Sequence, residues 1–79
     1  MKLNSVILEG EFVHFTSKKG AMPLAFVVDN SGQKFTIVVK SQKMAETVIR
    51  KKPSKIRIVG RLERNGRQVY ISAEHLDLS

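Results

Sequence analysis

The residues with the clearest chemical potential in this sequence are its cations. Fourteen Lys and Arg stand against seven Asp and Glu, a formal net charge of +7 in 79 residues. The isoelectric point is about 10.2. The cations fall in groups. Lys18 and Lys19 form one pair, Arg64 and Arg67 another, and Lys34 and Lys40 bracket an apolar stretch. Arg57 and Arg61 have the parity of one strand face. Cations spaced along a groove neutralise phosphates, and a domain pI above about 9 is the electrostatic footprint of a phosphate binder. Net charge alone speaks to partners loosely, because a basic surface also serves solubility. Arg50, Lys51, Lys52 and Lys55 form the densest group. It has a second explanation, since cations are favoured at the negative end of a helix dipole.

Stacking against bases requires exposed rings. There is no Trp, and the candidates are Phe15, Phe35 and Tyr70, with Phe12 and Phe26 read as core. Phe35, Ile37 and Val39 share one strand face, Thr36 and Val38 the other. The sequence therefore leaves open whether Phe35 meets ligand or core. Tyr70 is open too, because a tyrosine can bury its ring and keep its hydroxyl wet.

The catalytic inventory is poor. Two histidines, His14 and His75, no cysteine and no His-x-x-x-His spacing leave no metal site to propose. No glycine-rich phosphate loop is present. Glu9 and Glu11 share a strand face and are the nearest approach to a carboxylate pair. No enzyme activity and no cofactor are expected.

Five strands and one helix must position these groups. The first strand, Leu3 to Phe15, is long and carries Gly10, where a bend would let it pair on two sides of a small barrel. Strands over Leu24–Asp29 and Gln33–Lys40 flank an Asn30-Ser31-Gly32 turn. From Ser41 to Lys52 the period changes, with Met44, Ala45, Val48 and Ile49 on one helical face. Ser41 suits the N-cap and Pro53 stops the helix. Strands over Lys55–Glu63 and Gln68 to about Leu76 flank Asn65-Gly66, a strong hairpin signal. The order β-β-β-α-β-β is that of an OB-fold, an all-β five-stranded barrel with one helix between strands 3 and 4. An SH3-like barrel is the runner-up, and the helix argues against it. One domain over 1–79 is expected.

Several segments resemble the bacterial single-stranded DNA-binding protein family and its single-OB primosomal relatives. Asn4-Ser5-Val6-Ile7-Leu8-Glu9-Gly10-Glu11-Phe12 is similar to the family's N-x-V-x-L-x-G-x-L opening. Leu24-Ala25-Phe26-Val27-Val28, Lys43-Met44-Ala45-Glu46, Ile58-Val59-Gly60-Arg61-Leu62 and Ala73-Glu74-His75-Leu76 resemble its later segments. The resemblance implies a sequence-tolerant single-stranded DNA binder of replication, repair or recombination, working as a homodimer or homotetramer. The departures are the missing Trp, Ser41 where an aromatic often precedes the helix, and no acidic tail for recruiting other proteins. Charge is therefore expected to outweigh stacking. The expected contacts are Lys18, Lys19, Lys34, Phe35, Lys40, Arg57, Arg61, Arg64, Arg67 and Tyr70. RNA binding, or a protein-interaction module without nucleic acid, are the alternatives. With no secretory leader pattern and no run of about 20 apolar residues, a cytoplasmic protein is expected and no membrane partner.

Overall fold

The computed structural model describes residues 5–18 and 20–79. Leu3, Asn4 and Lys19 lie outside them. The elements are β1 (Ser5–Phe15), β2 (Leu24–Asn30), β3 (Gln33–Val39), α1 (Gln42–Lys51), β4 (Lys55–Asn65) and β5 (Gln68–Leu78). The strands close into a barrel in the order β1-β2-β3-β5-β4, with β3 and β5 parallel and the other pairs antiparallel. This is the OB-fold expected from the element order.

Closure depends on β1 serving two neighbours. Ser5 to Glu11 pair with Arg61 to Lys55 of β4, and Glu11 to Phe15 pair with Asp29 to Phe26 of β2. Gly10 sits where one partnership gives way to the other. A Cβ there would lie 2.5 Å from the Asp29 carbonyl oxygen and 2.6 Å from Val28 Cγ1. No side chain fits, so the glycine lets β2 approach β1 as it turns. A bulge between Phe12 and His14 then re-aims the end of the strand. Gly60 has a matching role on the other side of the barrel. Its Cβ would collide with the Ser72 carbonyl oxygen, beside the bulge in the β4–β5 ladder.

The core follows from alternation. Leu24, Phe26 and Val28 of β2, Ile37 and Val39 of β3, Ile56 and Ile58 of β4 and Ile71 of β5 point inward. Successive strand side chains alternate between faces, so one apolar set fills a barrel. Helix α1 plugs one end with Ala45 and Val48. Ser41 Oγ accepts a hydrogen bond from the Met44 N–H at 3.3 Å, capping the first turn. At the other end Lys52, in the left-handed region, donates its N–H to Val48 O at 3.1 Å. Ser41 thus holds a structural position where the family resemblance leads one to expect a ring.

Element ends differ from expectation by a few residues. β4 runs on past Glu63 to Asn65, because Asn65 pairs with Gln68. β5 runs on to Leu78, because Ile56 at the start of β4 pairs with it, and Ser79 exchanges backbone hydrogen bonds with Lys55. The β2–β3 turn has positive φ at both Ser31 and Gly32, the pattern that suits the twist of a two-residue hairpin. Asp29 Oδ1 accepts from the Gly32 N–H at 2.7 Å.

Gly10→Ala and Gly60→Ala are each expected to destabilise the barrel by about 1–3 kcal/mol, the usual range for forcing atoms into a packed interior. Denaturant unfolding measures this. An unchanged midpoint in both variants would contradict the close approach described here.

Candidate nucleic-acid interface

The outward positions of β2 and β3 form the floor of an open cleft of about 510 Å³. Ala25, Thr36 and Val38 supply the floor. Thr16 and Pro23, from the β1–β2 loop, make one lip, and Asn65, Gln68 and Val69, from the β4–β5 hairpin, make the other. Tyr70 and Lys40 complete the lining. A second, smaller hollow of about 280 Å³ has Lys34, Phe35, Thr36, Leu62, Val69, Tyr70 and Ile71 on its walls. Tyr70 belongs to both.

The expected contact residues separate into groups. Lys18 is exposed on the loop of the first lip, and Arg64 and Arg67 are exposed on the hairpin of the second. Lys19 lies outside the described residues. The two loops do flank one groove, although their cations stand beyond its lining. Lys34 stands at the smaller hollow, and Lys40 in the larger cleft.

Phe35 pairs with Val28 and shares the inward parity of Ile37 and Val39. Its half-buried ring packs against the core rather than standing on the floor of the larger cleft. Phe15 is likewise on the core side, opposite Phe26, with 38% of its surface exposed at the barrel mouth. Its ring centroid is 4.9 Å from that of Phe12. Neither is a free platform, which leaves Tyr70 as the ring of the cleft.

Arg57 is on a different surface, exposed on β4 where that strand pairs with β1 and β5, whereas Arg61 lies nearer Glu63, whose carboxyl its positive charge helps hold down. Arg57 Nε is 3.6 Å from Glu9 Oε1, and Arg57 lines a hollow of about 460 Å³ with Glu9, Glu11 and Asp77. That surface carries mixed charge. Arg61 is half-buried, and its Nε has no hydrogen-bond partner among the described residues.

Nothing in the sequence pattern marks Glu63 as a site residue. One carboxylate oxygen, Oε1, accepts from Lys40 Nζ at 3.1 Å and from the Tyr70 hydroxyl at 2.9 Å. Glu63 and Tyr70 face each other across the β4–β5 ladder, so the backbone register brings them together. The hydrogen bond from Lys40, and then that from Tyr70, hold the Glu63 carboxyl below its ordinary range. The hydrogen bond to Glu63, helped by burial, pushes the Tyr70 hydroxyl above its own. Because the folded value of Glu63 is lowered, its contribution to stability is present above the ordinary carboxylate range. It is lost as pH falls through the lowered value. Asn65, Gln68 and Thr36 line the cleft without a sequence signal that singles them out. The outward parity of Thr36 was visible in the sequence, but a strand residue's parity does not say which outer face is concave.

No protein-family model matches the chain, and no curated protein matches it by sequence. Solved structures do. A chain of the S. pombe Stn1–Ten1 complex superposes with a TM-score of 0.81 at 17% identity, over 98% of this chain. This chain spans 59% of that one. A small single-stranded DNA-binding protein from Mycoplasma pneumoniae superposes with a TM-score of 0.77 at 20% identity, over 96% of this chain and 93% of its own. At these identities the likeness is one of fold.

Two measurements check the placement of the rings. Tyr70 is the only tyrosine, so tyrosinate absorbance reports it alone. Its midpoint is expected above the ordinary value of about 10, and Glu63→Gln should move it back down. A wild-type midpoint at or below the ordinary value would show that Glu63 does not hold the hydroxyl. Phe35→Ala should lower stability by about 3 kcal/mol, the low end of the range for a core phenylalanine because the ring is half-buried. A variant with normal stability and lost ligand affinity would instead place that ring on the ligand.

Proposed function

We propose that this chain is a sequence-tolerant single-stranded DNA-binding protein of the cytoplasm, working in replication, repair or recombination and carrying out no chemistry of its own. One observation carries the reading. The outer face of β2 and β3 is an open cleft with a tyrosine ring on its wall, between two loops that bear Lys18, Arg64 and Arg67. OB-folds take single strands on this face and between these loops. Stacking on a ring is tolerant of sequence because every base has a π-face. The M. pneumoniae neighbour, nearly the same size and described as a small single-stranded DNA-binding protein, supports the assignment.

Lys18, Lys19, Lys34, Arg64 and Arg67 are assigned to phosphates and Tyr70 to a base. Arg57 stands away from the cleft and Arg61 is not part of its lining, and neither is given a first role in binding. A homodimer is part of the proposal. Ile7 is 64% exposed on the outer face of β1, opposite the half-buried Val59 of β4. Burying that apolar pair against a second copy would remove it from water.

The decisive experiment is a titration of oligo-dT of about 16 nucleotides against blunt duplex and oligo-rU at several salt concentrations. Oligo-dT should bind more tightly than either, with affinity falling steeply as salt rises. Each phosphate contact on a single strand contributes about 0.7 to the log–log slope. Replacing Lys18, Lys19, Arg64 and Arg67 together with Gln should abolish most affinity and flatten the slope by about 2–3. Tighter binding to duplex would sink the single-strand assignment. Tighter binding to oligo-rU would favour RNA, and no salt-dependent binding at all would favour a protein partner.

A further inference from the structure

The larger cleft is poor in charge for a protein of net charge +7. Lys40 is the one charged residue among the described residues that line it. Its ammonium group lies 3.1 Å from Glu63 Oε1, with the Lys40 side chain 57% exposed and that of Glu63 30% exposed. The same oxygen accepts the Tyr70 hydroxyl, so the carboxylate is fixed from two sides. An exposed ion pair contributes little to stability. Its effect here is on where charge can go. A phosphate approaching Lys40 meets a carboxylate already in place, while the exposed cations on the two lips carry no acidic partner among the ion pairs of the described residues.

We propose that Glu63 is a specificity-determining residue that cancels Lys40, so that the cleft accepts uncharged bases and leaves phosphates to the loop cations. This rests on the nucleic-acid reading above. It divides the site into two tracks. Phosphates run along Lys18, Arg64 and Arg67. Bases turn inward onto Tyr70 and the small side chains of the floor, with Asn65 and Gln68 offering amide donors and acceptors to their edges. Lys40, although a cation inside the cleft, contributes no full phosphate contact while Glu63 is ionised.

The test compares the salt dependence of oligo-dT binding in the wild-type chain, Glu63→Gln, Lys40→Gln and the double variant. Thermal melts confirm that each is folded. Glu63→Gln frees Lys40 and is expected to steepen the log–log slope by about 0.7, one phosphate contact. Lys40→Gln in the Glu63→Gln background should remove that same increment, whereas in the wild-type background it should flatten the slope by much less. An unchanged slope in folded Glu63→Gln overturns the proposal. So does a full loss of about 0.7 in Lys40→Gln alone, which would make Lys40 an ordinary phosphate contact. The Lys40→Gln arm decides the matter even if Glu63→Gln fails to fold. A wild-type chain that does not bind oligo-dT overturns the functional reading and this assignment with it. A chain that binds but shows neither expected difference overturns this assignment alone.

Discussion

A five-stranded barrel this small closes only if one strand can hydrogen-bond on two sides in succession. β1 does so by pairing with β4 through its first half and β2 through its second. The handover falls at Gly10, where the Asp29 carbonyl comes too close for any side chain. Two unpaired edges would otherwise remain, each a row of unmet backbone donors and acceptors. Closure also creates the interior. Phe26, Val28, Ile37, Val39 and Ile58 come from three different strands and are fully excluded from solvent.

The cleft is a by-product of that closure. With β1 bent over one end of β2, and the β4–β5 ladder carried out to Asn65 and Gln68, two loops rise on either side of the outer face of β2 and β3. The residues on that face are small. Ala25, Thr36 and Val38 leave room, and the neighbouring strands supply Tyr70 from β5 and Glu63 from β4. The parallel pairing of β3 with β5, at Ile37–Ile71 and Val38–Ser72, sets Tyr70 beside this floor.

Charge is then distributed by position rather than by amount. The loop cations are exposed, Lys40 is bound to Glu63, and Arg57 is close to Glu9 on another surface. A net charge of +7 therefore describes only the long-range field around the molecule. The arrangement of a few carboxylates decides which cations are available at contact.

The sequence by itself determined the element order, the cap at Ser41 and both hairpin turns. Each is local: a side chain bonding its own backbone, a φ angle, or a period of two or 3.6 residues. Whether Phe35 or Tyr70 lines the larger cleft was decided only by tertiary structure. Parity divides a strand into two faces, but the barrel's closure says which is inside, and it put Phe35 with Val28 and Ile37. The Lys40–Glu63–Tyr70 contact was equally out of reach. Its members are 23 and 7 residues apart; Lys40 directly follows β3, and Glu63 and Tyr70 lie in β4 and β5. Only the register between those strands brings one carboxylate oxygen within hydrogen-bonding distance of both partners.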